Sequence, residues 1–289
     1  MLLFVVLCFL QAHLVMAVSA GSTNLTTTFY TTTVVSGYWR VRNKHSKKEF
    51  SRWFDNSLKL NAPYVFFYEE DEVMSLIAHY RHGLPTQFVK RSIADFDVQR
   101  LYHPSWTNKV HVPSAELGKI WLEKVFCISS AAKLNFFRTE WFAWVDAGIA
   151  AYRDVVMPSV RWPPDVASLP QKQIIYTHVS DGAYHHFAGT AFMYHASLVS
   201  RITLLFTAAI NTCAHTVNDW RCGNDQYIFT QILEENPTLF RRVGDGYGDV
   251  VRILFNQSES TYQRRRSPHQ RFHRFQWPRL AGRAQRQTT

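Results

Sequence analysis

The sequence predicts an open α/β domain: a sheet of buried, mostly parallel strands joined by crossover helices. Three observations predict it. The first eighty residues alternate strand, helix, strand, helix, the order that builds a parallel sheet. Both early strands are unbroken apolar runs, as strands buried on both faces require. With 289 residues, 46% hydrophobic and 15% aromatic, the chain can also fill a large core, while 12 Gly and 11 Pro exclude a fibrous or low-complexity body.

The elements follow in order. The β-branched stretch TTFYTTTVVSGYW (27–39) reads as a strand ending in a small-residue turn. Ser46 and Glu49 form a capping box ahead of Phe50, Trp53, Phe54 and Leu58 at helical spacing. NAPYVFFYEEDE (61–72) is a strand running out into acids, and Val73, Leu76, Ile77 and Tyr80 share one face of a helix over 72–81. Residues 82–113 read as irregular. A long helix then carries Leu117, Ile120, Trp121, Val125 and Ile128 as its core stripe and leads into WFAWVDAGI (141–149). Beyond a Pro-rich loop (157–170), the reading is strands at 173–179 and 187–195, helices around 197–212 and 226–235, and a last strand, VVRILF (250–255).

The net charge of +10 is uneven: residues 261–289 hold eight Arg and no acid, so residues 1–260 carry only +2. The tail reads as a disordered basic segment. Its Arg residues interleave with Phe272, Phe275 and Trp277, a pattern that could pair with a polyanion. Residues 1–20 are almost wholly apolar and end in small residues, the pattern of a signal peptide cleaved near Ala20 or of an uncleaved signal anchor. No later stretch reads as a membrane span. A secretory route argues against nucleic acid as partner, and makes the sequons at Asn24 and Asn256 meaningful. Cys213 and Cys222 either close a loop disulfide in that oxidising lumen or stay, with Cys127, as buried thiols.

Ligands of open α/β sheets bind beyond the carboxyl ends of the strands, at the topological switch point. Asp146 ends a buried strand there, followed by Ala147 and Gly148. A carboxylate so placed either holds a hard divalent cation, Mn or Mg, or caps a turn. Asn224 and Asp225 open a helix, and each is a good N-cap. Lys124 has the reach to approach a diphosphate, but its default reading is a solvated lysine. His178, His185, His186 and His195 carry no zinc-site spacing and read as core or rim residues. Serine-elbow, P-loop and G-x-G-x-x-G motifs are absent, and GDGYGD (244–249) follows no clear strand and reads as a turn-rich loop.

The run LGKIWLEKVFCISSAAKLNFFRTEWFAWVDAGI resembles the core of the HtrL/YibB family, proteins similar to glycosyltransferases of the GT-A type. The resemblance extends over roughly residues 30–255, with HHFAGTAFMYH (185–195) and NDWRCGNDQYIFTQILEENPTLF (218–240) as further matching blocks. It implies a GT-A-like, Rossmann-related mixed sheet flanked by helices. Asp146 takes the place of the metal-proximal acid of an Asp-X-Asp motif, with Gly148 where a second acid usually stands. Gly189 and Thr190 would face the donor or acceptor, although Gly189 in a plain strand would also relieve crowding. Asp225 would serve as general base on the acceptor side. The implied activity is transfer from a nucleotide-sugar donor to a hydroxyl of a glycan, lipid or protein in the secretory pathway. The rival reading is a secreted, non-catalytic carbohydrate- or partner-binding relative of the same fold, favoured by Gly148 and Thr190.

Overall fold

The computed structural model describes residues 30–179, 185–215 and 219–256. The leader, Asn24 and the basic tail lie outside the described residues, while Asn256 is exposed at the end of the last helix.

In chain order the elements are β1 (Thr32–Tyr38), α1 (Lys47–Ser57), β2 (Tyr64–Tyr68), α2 (Asp71–Tyr80), β3 (Thr86–Lys90), α3 (Ala115–Leu134), β4 (Trp141–Val145), β5 (Ile174–His178), β6 (Phe187–His195), α4 (Val199–Ala214), α5 (Asp225–Glu235), β7 (Phe240–Asp245) and α6 (Asp249–Asn256). The seven strands form one sheet in the order β3-β2-β1-β4-β6-β5-β7. All run parallel except β6, which is antiparallel to β4 and to β5. The fold is therefore the mixed α/β sheet flanked by helices.

Side-chain alternation sends each strand's residues into two cores. Val35, Val65, Phe67, Phe142, Trp144, Phe192 and Tyr194 pack with α3, α4 and α5 on one face. Val34, Tyr64, Phe66, Trp141, Ala143, Val145 and Met193 pack with α1, α2 and α6 on the other. Because both faces are covered, β2 and β4 are buried at every position, which is why they read as continuous apolar runs. The capping box is formed as expected: Ser46 Oγ accepts from the Glu49 amide, and Glu49 accepts from the Ser46 amide.

Several expectations need correction. Residues 250–255 form not a strand but most of α6, whose buried Val250, Val251, Leu254 and Phe255 follow helical spacing. The strand at this edge is β7, so the GDGYGD segment begins inside a strand, with Gly244 and Asp245 as its last residues, and Gly246 and Gly248 supply the positive φ of the turn beyond it. Residues 82–113 contain β3 and two short 3₁₀ turns, Ile93–Asp95 and Asp97–Arg100. Both missed strands are half-exposed sheet edges, with too little buried apolar sequence to stand out. By length and composition Ala196–Ala214 could cross a membrane, but Val199, Ile202, Phe206, Ile210 and Cys213 form its row buried in the core.

Cys213 and Cys222 are joined in a disulfide, and Cys127 is a buried thiol. The bridge ties the end of α4 to the 3₁₀ turn Trp220–Gly223, immediately before α5.

Candidate functional site

The crossovers from β1 through β2 to β3 lead to one side, and β4 lies on the other side of β1, so the switch point falls between β1 and β4. A cavity of about 760 Å³ opens there, where a ligand is expected in such sheets. Gly37 to Trp39 at the end of β1 line it, together with Asp146 to Gly148 after β4, Thr190 of β6, and Asn224 to Gln226 at the start of α5.

At this cavity one buried ammonium joins two distant carboxylates. Lys124 of α3 places Nζ 3.1 Å from Asp146 Oδ1 and 3.0 Å from Asp225 Oδ2, and donates to the Gly189 carbonyl at 2.9 Å. Its side chain is 4% exposed, so the expectation of a solvated lysine is overturned. Its surroundings explain the reversal: an uncompensated ammonium could not be buried this deeply, but two carboxylates and a carbonyl compensate it. Burial lowers the Lys124 pKa, but Asp146 and then Asp225 outweigh that effect and hold it above the ordinary lysine value.

Asp225 lies in the first turn of α5, while Asn224 is the N-cap and accepts from the Gln226 amide at 2.9 Å. With the cap supplied by its neighbour, the Asp225 carboxylate is available to Lys124 and the cavity. Burial pushes its pKa up to about 6, against the lowering pull of Lys124 and with a further push from Asp146. Asp146 is less enclosed, with 30% of its side chain exposed. Its Oδ1 also accepts from Trp144 Nε1 at 2.6 Å, and its amide donates to the Thr190 carbonyl at 2.9 Å.

The glycines owe their identity to close neighbours. A Cβ on Gly189 would lie 2.5 Å from Asp225 Oδ2, so a bare residue on β6 is what lets the acid and the strand approach. A Cβ on Gly148 would meet the Trp53 ring at 3.0 Å and Phe50 at 3.3 Å, which crowds the place of a second acid. Thr190 lines the cavity, and its buried hydroxyl has no hydrogen-bond partner among the described residues. All five residues expected at the site, Asp146, Gly148, Gly189, Thr190 and Asp225, are thus gathered around one region. Lys44 and Arg153, which also line the cavity, were not singled out from sequence, and neither carries a motif signal. The histidines stand at the rim or in the core: His178 and His186 stack with ring centres 5.4 Å apart, and His185 shares a 2.9 Å hydrogen bond with the Tyr247 hydroxyl.

A divalent cation fits these residues poorly. Lys124 Nζ stands between the two acids that could hold one, and Asp146 Oδ1 is already engaged by two donors. Among the described residues, no three His, Cys, Asp or Glu side chains gather as a metal-binding set. One partly open carboxylate is the least that such an ion uses from a protein, with phosphate and water oxygens filling the rest of its shell.

No protein-family model and no curated protein sequence matches the chain. Among solved structures, the chain is similar to mouse xyloside xylosyltransferase 1 in its apo form, at 12% identity and a TM-score of 0.46, covering 78% of this chain and 93% of that one. Core-mannan synthase A from Aspergillus fumigatus, in a Mn/GDP form, gives 9% identity and a TM-score of 0.45 over 76% of this chain and 74% of its own. A glycosyltransferase involved in glycosylation of the major capsid of PBCV-1 gives 13% and 0.40, over 74% and 81%. At such identities and scores, none of them transfers a residue role or an activity to this chain.

Proposed function

We propose that this chain is a glycosyltransferase of GT-A type, related to the HtrL/YibB family, that moves a sugar from a nucleotide-sugar to a hydroxyl acceptor. The observation that carries the reading is the convergence of Asp146 and Asp225 on the Lys124 ammonium at a switch-point cavity of about 760 Å³. That volume suits a nucleotide-sized ligand. In the reaction, the acceptor hydroxyl passes its proton to Asp225 while its oxygen bonds the anomeric carbon. The bond from that carbon to the diphosphate oxygen breaks, and the electron pair leaves with the nucleoside diphosphate. A carboxylate with a pKa of about 6 suits this role, being largely ionised at neutral pH yet a better base than an ordinary aspartate. Lys124 holds Asp225 in place, while the open part of Asp146 is available to sugar hydroxyls.

The proposed setting is the lumen of the secretory pathway, with a glycan, lipid or protein as acceptor. The Cys213–Cys222 bridge supports it, because such bonds persist in oxidising compartments. Nucleic acid is not proposed as a partner, and membrane attachment would come only from an uncleaved leader.

The test is to incubate the purified chain with a panel of nucleotide-sugars and mixed glycan acceptors and to measure nucleoside diphosphate release. Release that Asp225→Asn suppresses supports the reading. Release unaffected by that substitution removes Asp225 from the chemistry, and no release with any donor favours the binding-protein alternative.

A further inference from the structure

Two cations line the cavity without a carboxylate in ion-pair contact among the described residues, although Asp146 and Asp154 act on Arg153 from farther off. Lys44, on the loop before α1, is an exposed residue at the cavity rim whose Nζ lies 5.2 Å from the Trp121 ring centre, making no ion pair or hydrogen bond through Nζ among the described residues. Partial desolvation is the sole cause lowering its pKa, as expected of an ammonium with no acid against it. Arg153 lies after the 3₁₀ turn Ala150–Tyr152. Its guanidinium sits 3.7 Å from the Trp53 ring centre, and Nε donates to the Gly148 carbonyl at 3.1 Å. Its two terminal nitrogens have no hydrogen bond or ion pair among the described residues. Each cation helps hold the His45 imidazole pKa low, Arg153 more than Lys44, after burial itself. The two therefore act on one neighbourhood.

The place of Arg153 matters. Gly148 stands two residues beyond Asp146, where the resemblance puts a second metal-holding acid. Here the backbone of that residue fixes a guanidinium instead, and the Trp53 ring that crowds a Cβ at position 148 is the platform on which Arg153 lies. A fork of N–H donors held on an aromatic face is well suited to phosphate oxygens. The space between Asp146 and Asp225 already holds an ammonium.

We infer that Lys44 and Arg153 form the diphosphate-binding site of this cavity and that a nucleoside diphosphate binds there without a divalent metal. This inference rests on the donor-site reading above but goes beyond it, replacing the metal that the resemblance implies with two side-chain cations. Phosphate charge developing on the leaving group is then neutralised by groups already fixed in place.

The experiment is isothermal titration of the full chain with UDP, GDP, ADP, CDP and TDP, once in EDTA and once in manganese. At least one nucleotide is expected to bind in EDTA with a Kd within about twofold of that in manganese, a difference of less than roughly 0.5 kcal/mol. Lys44→Met and Arg153→Met should each weaken that binding about tenfold or more, as loss of a charge-assisted contact does. Lys44→Arg and Arg153→Lys should recover part of it. Arg153 is packed on Trp53, so if Arg153→Met lowers the melting temperature of the unliganded protein, Lys44→Met and Arg153→Gln carry the test. Binding that appears only with manganese overturns the inference and leaves the donor site standing. Binding in EDTA that both charge-removing variants retain overturns the assignment of Lys44 and Arg153. If no nucleotide binds under either condition, both the inference and the donor-site reading fall.

Discussion

Replacing Lys124 with methionine tests the centre of the site. Methionine fills much of the same volume, so the main loss is the ammonium. That loss leaves the Asp225 carboxylate, 4% exposed, without its partner at 3.0 Å, while Asp146, 30% exposed, can turn to water. Breaking a buried pair from one side costs about 3–5 kcal/mol. The cost should depend on pH. The Asp225 pKa is already raised from 3.8 to about 6, so the native protein binds this proton more tightly than the unfolded chain does. The contribution of this group to stability therefore falls as pH rises from 3.8 through 6 and returns on acidification. Without Lys124 the Asp225 pKa rises further, and at pH 5 the acid is neutral. Only lost hydrogen bonds then remain, about 1–2 kcal/mol. For a domain of this size each kcal/mol moves the melting temperature by about 2–4 °C. The expected loss is thus about 6–20 °C at pH 8 but about 2–8 °C at pH 5. Thermal unfolding followed by circular dichroism at the two pH values reads it directly. Adding Asp225→Asn to Lys124→Met should recover much of the loss at pH 8. Equal losses at pH 5 and pH 8, or no recovery in the double variant, would refute the account of a carboxylate held ionised by Lys124.

Asp225→Asn should leave nucleoside diphosphate affinity unchanged and slow transfer roughly 30- to 1000-fold, about 2–4 kcal/mol of transition-state stabilisation. The parent rate should fall with acidification below about pH 6 as Asp225 takes up its proton, and a profile flat to pH 5 would exclude it as the base. Gly189→Ala puts a methyl 2.5 Å from Asp225 Oδ2, so it should cut transfer sharply while circular dichroism shows the fold retained. Replacing both Cys213 and Cys222 with serine should cost about 2–3 kcal/mol by opening a short loop, seen in urea unfolding.

Much of the architecture was legible because it rests on local signals. The Ser46–Glu49 capping box, the double-buried runs of β2 and β4, and the span of β6 are set by neighbouring residues along the chain. So were Asp146 and Asp225, because a polar residue at the end of a buried strand or the start of a helix announces itself by position. The segment 250–255 was misread because a short apolar run fits a strand or a helix equally well. What settles the matter is that β7 already fills the sheet edge, leaving these residues to cover the β5–β6 face. The charges were decided last, and only in three dimensions. Lys124 looks like any helix lysine until Asp146, Asp225 and the Gly189 carbonyl close around it. Lys44 and Arg153 come to line one cavity only when the fold brings the loop before α1 and the turn after β4 to it. Sequence fixes which residues carry charge. How much water each one loses, and which opposite charge compensates it, depends on segments far apart in the chain, and that is why the electrostatics of this site belong to the tertiary structure.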